Sequence, residues 1–166
     1  MKGCQVRQPF RLGMWMKSLR NTWILLPVLI AGCLGNIEKN HIAPGQLDVF
    51  GVIMYSSTDH REINGVRGTD EPCLRGHERS FDNLDIVIGY GRDGKIRKVN
   101  SRNPQNSMFG VHPGESVETA LVKIREAGFL ENGSPYRFKK DELELTMLVD
   151  GNGRIFGMTL EVFGPA

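Results

Sequence analysis

The chain has 166 residues, of which 40% are hydrophobic and 24% are charged, and this length suits a single domain. It is too short for a TIM barrel or for a complete dinucleotide-binding dehydrogenase. The formal net charge is +2, but all five charged residues before Cys33 are basic, which leaves 16 basic and 19 acidic residues in the remainder. The part of the chain after Cys33 therefore lacks the basic surface typical of nucleic-acid-binding proteins, and we expect no nucleic-acid partner.

The N-terminal residues have the pattern of an export signal. A basic stretch begins at Met16 and precedes an apolar run over residues 23–34 that contains Pro27. A membrane-spanning helix needs about 20 apolar residues, whereas a signal-peptide core needs only about 7–15. We therefore predict a signal peptide over residues 1–32, with Met14 and Met16 as alternative starting points. An uncleaved single-span anchor over residues 23–34 is the alternative.

The apolar run ends in Ile30-Ala31-Gly32-Cys33. This tetrapeptide resembles the lipobox of bacterial lipoproteins, with Ile30 at the place where leucine is usual. The resemblance implies that the Cys33 thiol receives a diacylglycerol and becomes the mature N-terminus. Two acyl chains anchor a protein stably, whereas one chain binds a membrane only marginally. Residues 33–46 then form a lipidated tether, and residues 47–166 form the domain.

The first part of the domain gives mixed signals. Residues 47–55 are rich in β-branched and aromatic side chains and predict a strand. Residues 56–79 are polar, contain three glycines and a proline, and show no regular period, so we predict an irregular segment. Polar loops on a rigid sheet often carry function, and this segment is the predicted contact region.

The second part of the domain has clear periodicity. Residues 84–100 predict a β-hairpin, because apolar alternation surrounds an Asp-Gly turn at Asp93 and Gly94. Residues 116–127 predict a helix with one apolar stripe, Ser116 or Glu115 as its cap and Gly128 just beyond its end. Residues 143–162 predict a second hairpin. The expected fold class is α+β: a small antiparallel sheet built of two β-hairpins with one packed helix.

The two hairpins correspond to each other at an offset of 59 residues. This offset also places the tripeptide Phe-Gly-Val at residues 50–52 on the same tripeptide at 109–111. The identical hairpin positions are Leu84 and Leu143, Gly94 and Gly153, and Ile96 and Ile155. The pattern indicates a tandem repeat. The first copy is degenerate, since residues 57–68 align with the helix but have no apolar stripe.

Residues 109–129, followed by the second hairpin, resemble a β-lactamase-inhibitor-protein-like unit. The resemblance depends on a strand end that runs into a helix, here Gly110-Val111-His112-Pro113-Gly114-Glu115-Ser116. It implies a helical segment packed on an antiparallel sheet, often in tandem, and many members of that group are bacterial lipoproteins. It also implies that a sheet face or a loop is presented to a protein partner. No catalytic activity follows from it.

The side chains that could support chemistry lie in residues 56–79. Cys73 and His77 are four residues apart, and His60 lies upstream. A zinc site requires three or four ligands at paired spacings, and the sequence offers no second nearby cysteine and no close histidine pair. We therefore predict no metal, no cofactor and no catalytic residue. The alternative is a secreted enzyme or metal-binding protein that uses the loop around Cys73 and His77.

These observations predict an exported lipoprotein, held at the extracytoplasmic face of the bacterial cell membrane, that acts as a non-catalytic binding module. Its expected partners are the membrane, through the lipid, and an envelope protein or a wall polymer. The alternating aromatic and basic residues 136–140 favour an anionic partner such as a wall polymer, although the same pattern is typical of an ordinary strand end.

Overall fold

The computed structural model describes residues 42–43 and 45–163. Within this part of the chain it contains twelve strands and one α-helix. In chain order these are β1 (Leu47–Asp48), β2 (Glu62–Ile63), β3 (Val66–Arg67), β4 (Thr69–Cys73), β5 (Gly76–Phe81), β6 (Ile86–Gly91), β7 (Ile96–Ser101), β8 (Ser107–Met108), α1 (Val117–Glu126), β9 (Leu130–Glu131), β10 (Arg137–Lys140), β11 (Leu143–Val149) and β12 (Ile155–Val162).

The main element is an eight-stranded antiparallel sheet in the order β4-β5-β6-β7-β12-β11-β10-β9. Each half of this order is a meander of four strands, and the halves meet where β7 pairs with β12. Two short ribbons lie outside the main sheet, one formed by β1 and β8 and the other by β2 and β3. The antiparallel sheet with a packed helix is thus as expected.

The predicted size of the sheet was wrong. The two predicted hairpins are present as β6–β7 and β11–β12, but they join edge to edge and are extended by four further strands. Three of the additional strands, β4, β5 and β9, lack the apolar alternation that predicts a half-buried strand. Every side chain of β4 is exposed, and β4 contains Pro72, which is tolerated because β4 is an edge strand.

Two other predictions from the first half of the domain also need correction. The predicted strand 47–55 is a strand only over β1, because Phe50 and Gly51 adopt positive φ angles of 48° and 74° that end it. The predicted irregular segment 56–79 contains β2, β3, β4 and most of β5. The polar side chains of β4 follow from its position at the edge of the main sheet.

The helix prediction is confirmed. The Ser116 hydroxyl accepts a hydrogen bond from the Thr119 amide at 3.3 Å and caps the N-terminus of α1. The apolar stripe buries Val117, Ala120 and Ile124 against the sheet. Phe129, just beyond the helix, is 1% exposed. The helix therefore closes one side of the hydrophobic core.

The two faces of the main sheet differ in character. One face, here called the core face, carries Ile88, Val99 and Leu160 in cross-strand register, and all three are fully buried. The opposite face, here called the outer face, carries Gly89, Lys98 and Glu161 in the neighbouring register positions. The core lies between the core face and a layer that contains α1, β1 and β8.

The offset of 59 residues recurs in the backbone. Phe50 and Phe109 share positive φ angles of 48° and 55°. Several backbone hydrogen bonds repeat at the same offset. The bond from Tyr55 N to Ile96 O corresponds to the bond from Gly114 N to Ile155 O. The bond from Ile96 N to Ser56 O corresponds to the bond from Ile155 N to Glu115 O, and the bond from Gly91 N to Lys95 O corresponds to the bond from Asp150 N to Arg154 O. The residues that align with α1 contain β2 and β3 instead of a helix.

The two halves meet at a pair of residues that are also 59 apart. Asn100 of β7 lies opposite Thr159 of β12, and the Asn100 amide donates to the Thr159 hydroxyl at 2.7 Å. The flanking pairs are Val99 with Leu160 and Ser101 with Met158. Adding 59 to the number of Val99 gives Met158, and subtracting 59 from that of Leu160 gives Ser101, so each flanking pair corresponds to the other. The sheet therefore has a local two-fold relation centred on Asn100 and Thr159.

Candidate functional site

The outer face carries a groove with a volume of about 1240 Å³. It crosses β5, β6, β7 and β12, and it extends from the turn between β4 and β5 to the end of β12. Leu74 at one end is 93% exposed, and Phe163 at the other end is 56% exposed. This feature, here called the outer groove, is somewhat larger than typical small-molecule pockets, which are about 300–1,000 Å³, and it has an exposed apolar side chain at each end.

Gly89 leaves open space in the middle of the outer groove. It lies between Glu78 and Lys98 in the register of β5, β6 and β7. A Cβ atom at position 89 would lie 2.9 Å from the Lys98 Cβ, so a side chain here would force Lys98 to move. The glycine therefore sets the depth of the groove between two charged neighbours.

Most of the charged side chains in the outer groove are held in place by partners. Lys98 Nζ lies 2.9 Å from Glu78 Oε1, and Arg97 Nη2 lies 2.7 Å from Asp93 Oδ2. Arg92 donates to the Leu74 carbonyl oxygen at 3.0 Å, which ties the turn after β6 to the turn after β4. Such partly exposed ion pairs contribute little to stability, about 0–1 kcal/mol each, but they orient the groups they join.

A second cluster, on the core face, is centred on Arg79. This residue is 5% exposed. Its guanidinium donates to both carboxylate oxygens of Asp70 at 2.6 and 2.9 Å, to Asp59, and to the His60 carbonyl oxygen at 2.9 Å. It also lies 5.4 Å from the centre of the Tyr90 ring. A buried guanidinium is tolerated here because its polar hydrogens have acceptors.

The Arg79 cluster fixes the segment that precedes β2 onto the sheet. The Tyr90 hydroxyl accepts a hydrogen bond from the His60 amide at 3.1 Å, and the His77 ring stacks on the Tyr90 ring at 4.7 Å. Burial of Tyr90 raises the pKa of its hydroxyl, and burial of His60 lowers the pKa of its imidazole. A shallow depression of about 430 Å³ lies beside these side chains.

Hydrogen bonds from Arg79 and Arg61 lower the pKa of Asp59 from 3.8 to about 2. The hydrogen bond from Arg79 also lowers the pKa of Asp70. Because these pKa values are depressed in the folded state, the two carboxylates stabilise the fold above about pH 4. That contribution is lost as the pH falls toward 2.

We expect Asp59→Asn to reduce the acid sensitivity of the fold. The variant should be about 1 kcal/mol less stable than the wild type at pH 6, allowing for solvent around the half-exposed carboxylate, and the difference should shrink below about pH 3. Urea denaturation at a series of pH values measures both quantities. Parallel pH profiles for the two proteins would contradict the assignment.

The predicted metal candidates do not come together. In the register of β4 and β5, Cys73 lies opposite Gly76 and His77 lies opposite Pro72, so the Cys73 and His77 side chains point to opposite faces of the sheet. Cys73 is an exposed free thiol that borders the outer groove, whereas His77 stacks on Tyr90. Across residues 42–43 and 45–163, no three His, Cys, Asp or Glu side chains are grouped so that they could hold a metal ion.

The basic and aromatic side chains of residues 136–140 are largely engaged. Phe138 is 1% exposed, Arg137 Nε lies 3.1 Å from Glu144 Oε1, and Lys140 donates to the Ala127 carbonyl oxygen at 2.7 Å. Lys139 Nζ lies 5.5 Å from the centre of the Phe163 ring. The run thus has the contacts of an ordinary strand.

Other predictions lie outside what the structure describes. Cys33, the predicted signal peptide over residues 1–32 and most of the tether fall outside the described residues. In the portion that is described, no helix has the length and apolar character needed to span a membrane.

The outer groove was not predicted from the sequence. It depends on side chains from strands that are distant along the chain, so no local motif marks it. The one available signal was Gly89-Tyr90-Gly91, since glycine within a strand often marks a close approach. Of the predicted contact region 56–79, only the part around Cys73 and Glu78 borders the groove, and Asp59, Asp70 and Arg79 lie on the other side of the sheet.

Comparisons with known proteins bear on the fold alone. The sequence matches no protein-family profile and no curated protein. The structure is similar to the crystal structure of an extracellular protein containing a SCP domain from Bacillus anthracis str. Ames, with a TM-score of 0.50 and 13% sequence identity. The similarity covers 75% of this chain and 49% of that protein, so the chain spans about half the length of its structural neighbour. At so low an identity, the structural similarity indicates a shared fold and nothing about activity.

Proposed function

We propose that the domain is a non-catalytic binding module, held at the extracytoplasmic face of the bacterial cell membrane by a lipid on Cys33. The observation that carries the binding role is the outer groove, with its volume of about 1240 Å³. Exposed apolar side chains at the ends of a concavity offer surface that a bound partner can cover. Leu74 and Phe163 are such side chains.

Binding explains the outer groove better than catalysis does. The one thiol in its lining, Cys73, faces away from His77, so the pair needed to activate a nucleophile is not assembled there. Four charged groups in the groove are already joined in ion pairs, Lys98 with Glu78 and Arg97 with Asp93. Oriented charges between apolar ends suit the recognition of a protein surface.

The proposed anchor depends on the sequence Ile30-Ala31-Gly32-Cys33. Its resemblance to a lipobox supports lipid attachment at Cys33, and the basic and apolar residues before it support export. Cys73 is free and exposed, which is consistent with a chain whose folded domain needs no internal disulfide. The extracellular origin of the structural neighbour belongs to that protein and adds only consistency.

We also infer that the two halves of the sheet arose by duplication of one unit. The repeated backbone hydrogen bonds and the symmetric pairing about Asn100 and Thr159 support this origin. In the first unit, β2 and β3 stand in place of the helix, which makes it the degenerate copy. A tandem unit of a helix on an antiparallel sheet is also what the resemblance to the β-lactamase-inhibitor-protein-like group implies, and there too the expected partner is a protein.

Photo-cross-linking in cells tests the binding surface. A benzophenone amino acid at position 74, at the end of the outer groove, should give a discrete cross-linked product. The matched control is position 122 on α1, where Val122 is 54% exposed but lies on the other side of the sheet. Adding Lys98→Glu, which places a third acid beside Glu78 and Glu161, should reduce the product at least about tenfold, equivalent to about 1.4 kcal/mol of binding free energy. Equal products from positions 74 and 122, or a product that Lys98→Glu leaves unchanged, would contradict the proposal.

A further inference from the structure

We propose that the domain is a fused homodimer, in which two equivalent units, residues 46–104 and 105–163, associate about one two-fold axis as two copies of a shorter chain would. Each unit is 59 residues long. The partner that each unit fits is therefore a second copy of itself. This inference rests on the duplication inferred above and adds the symmetry, the interface and the boundaries of the units. It does not depend on the binding role or on the lipid anchor.

The first point on the axis lies in the main sheet. A residue that pairs with its own equivalent marks a two-fold axis, and Asn100 lies opposite its equivalent Thr159 where β7 pairs with β12. In a two-fold interface, residue i of one unit contacts residue j of the other, and residue j contacts residue i in return. The pairs on either side of Asn100 and Thr159 follow this rule.

The second point on the axis lies in the layer that covers the core face. β1 and β8 pair with each other, and Asp48 lies opposite Ser107. These two residues are also 59 apart. The ribbon of β1 and β8 is separate from the main sheet, so the two self-equivalent pairs lie in different layers. Because both pairs relate the same two units, one axis passes through both layers and relates whole units rather than two hairpins.

The backbone near the second point repeats in the same way. The Val52 amide donates to the Val49 carbonyl oxygen, and the Val111 amide donates to the Met108 carbonyl oxygen, both at 3.0 Å. All four side chains are buried in the core. Equivalent residues of the two units therefore occupy equivalent places in one shared core.

The side chains show where the units have diverged. The equivalent of Arg79 is Phe138, and both residues are buried, at 5% and 1% exposed. The equivalent of Gly89, which leaves open space in the outer groove, is Leu148. In a homodimer both units carry the same residue at every position, whereas fusion lets each unit change alone. The Arg79 cluster and the open space at Gly89 are thus specialisations of the first unit.

The axis also fixes where the ends of the units lie. Pro104 ends the first unit and is bonded to Gln105, which opens the second. Rotation about the axis carries Pro104 onto Phe163 and Gln105 onto Gln46. Phe163 is therefore placed to be bonded to Gln46 without any linker, and the order of the two units along the chain can be reversed.

Reversing the order of the units tests the axis on the full chain. Along its length, the exchanged protein contains residues 1–45, 105–163, 46–104 and 164–166. It keeps all 166 residues and joins Phe163 directly to Gln46. The matched control is the same exchanged protein with about six Gly and Ser residues inserted at that new junction as a flexible linker. Urea denaturation followed by circular dichroism, and hydrogen exchange of β7 and β12, compare both proteins with the natural chain.

We expect the exchanged protein to unfold in a single transition, at a urea midpoint of at least about half that of the natural chain, with β7 and β12 protected from exchange. The linker should leave this midpoint nearly unchanged, because lengthening a loop by a few residues costs little. Loss of the cooperative transition with and without the linker would overturn the equivalence of the units. Folding only with the linker would overturn the axis, because Phe163 would then lie far from Gln46. None of these results bears on the outer groove or the anchor, which cross-linking at position 74 and palmitate labelling test separately.

Discussion

Replacing Phe81 by alanine is expected to lower the free energy of unfolding by about 3–5 kcal/mol. Phe81 lies at the end of β5, opposite Ile86, with none of its side chain exposed, and Phe138 of β10 lies opposite Leu145 and is 1% exposed. Both rings belong to the same core, which extends through both halves of the sheet. Phe138→Ala should therefore cost a similar amount, and each variant should still unfold in a single transition.

Urea or guanidinium denaturation followed by circular dichroism provides the measurement, and Phe156→Ala provides the control. Phe156 is 45% exposed on β12, and its ring lies 5.7 Å from the Arg102 guanidinium carbon. Its loss should cost about 1 kcal/mol or less. Two separate transitions in the Phe81→Ala protein would contradict a single core, because they would mean that the two halves of the sheet unfold independently.

Replacing Arg79 by leucine is expected to cost about 2–4 kcal/mol. The substitution removes the hydrogen bonds to Asp70, Asp59 and the His60 carbonyl oxygen. It leaves two carboxylates close together, without the cation that separates them. Leucine does not restore these bonds even though it suits a buried position. The carboxylates are about half exposed, which keeps the penalty below that of a fully buried pair.

The control for Arg79→Leu is Arg61→Leu at the same cluster. Arg61 also forms an ion pair with Asp59, at 2.7 Å, but its side chain is 83% exposed. Exposed pairs are worth about 0–1 kcal/mol, so Arg61→Leu should change the unfolding free energy only slightly. Similar losses from Arg61→Leu and Arg79→Leu would show that burial of Arg79 adds nothing to the stability of the fold.

The sequence predicted those parts of the fold that have a local period. The β6–β7 hairpin, the β11–β12 hairpin and α1 each carry an apolar pattern that matches their geometry, and Ser116 caps the helix as expected. The edge strand β4 could not be predicted in this way, because all of its side chains are exposed and, among the described residues, it pairs only with β5. Its conformation is set by pairing with a neighbour and not by burial.

The candidate site was less predictable than the fold. The sequence places Arg79 in a polar stretch. No local pattern indicates that Asp59 and Asp70, 20 and 9 residues before it, both contact its guanidinium. Cys73 and His77 lie close in sequence, yet the alternation of β4 and β5 sends them to opposite faces. The outer groove requires the order of four strands to be known, because Glu78, Gly89, Lys98 and Glu161 become neighbours only in the sheet.

The most direct test of the proposed lipid-anchored module is palmitate labelling of the cell-associated protein, together with its mature mass. The proposal predicts a labelled protein that begins at Cys33, no label in Cys33→Ala, and unchanged label in Cys73→Ala, which removes the exposed thiol and keeps the lipobox intact. An unlabelled protein of unprocessed mass would contradict the proposal and indicate an uncleaved anchor over residues 23–34. Unlabelled protein released into the medium would contradict it equally and indicate a secreted domain.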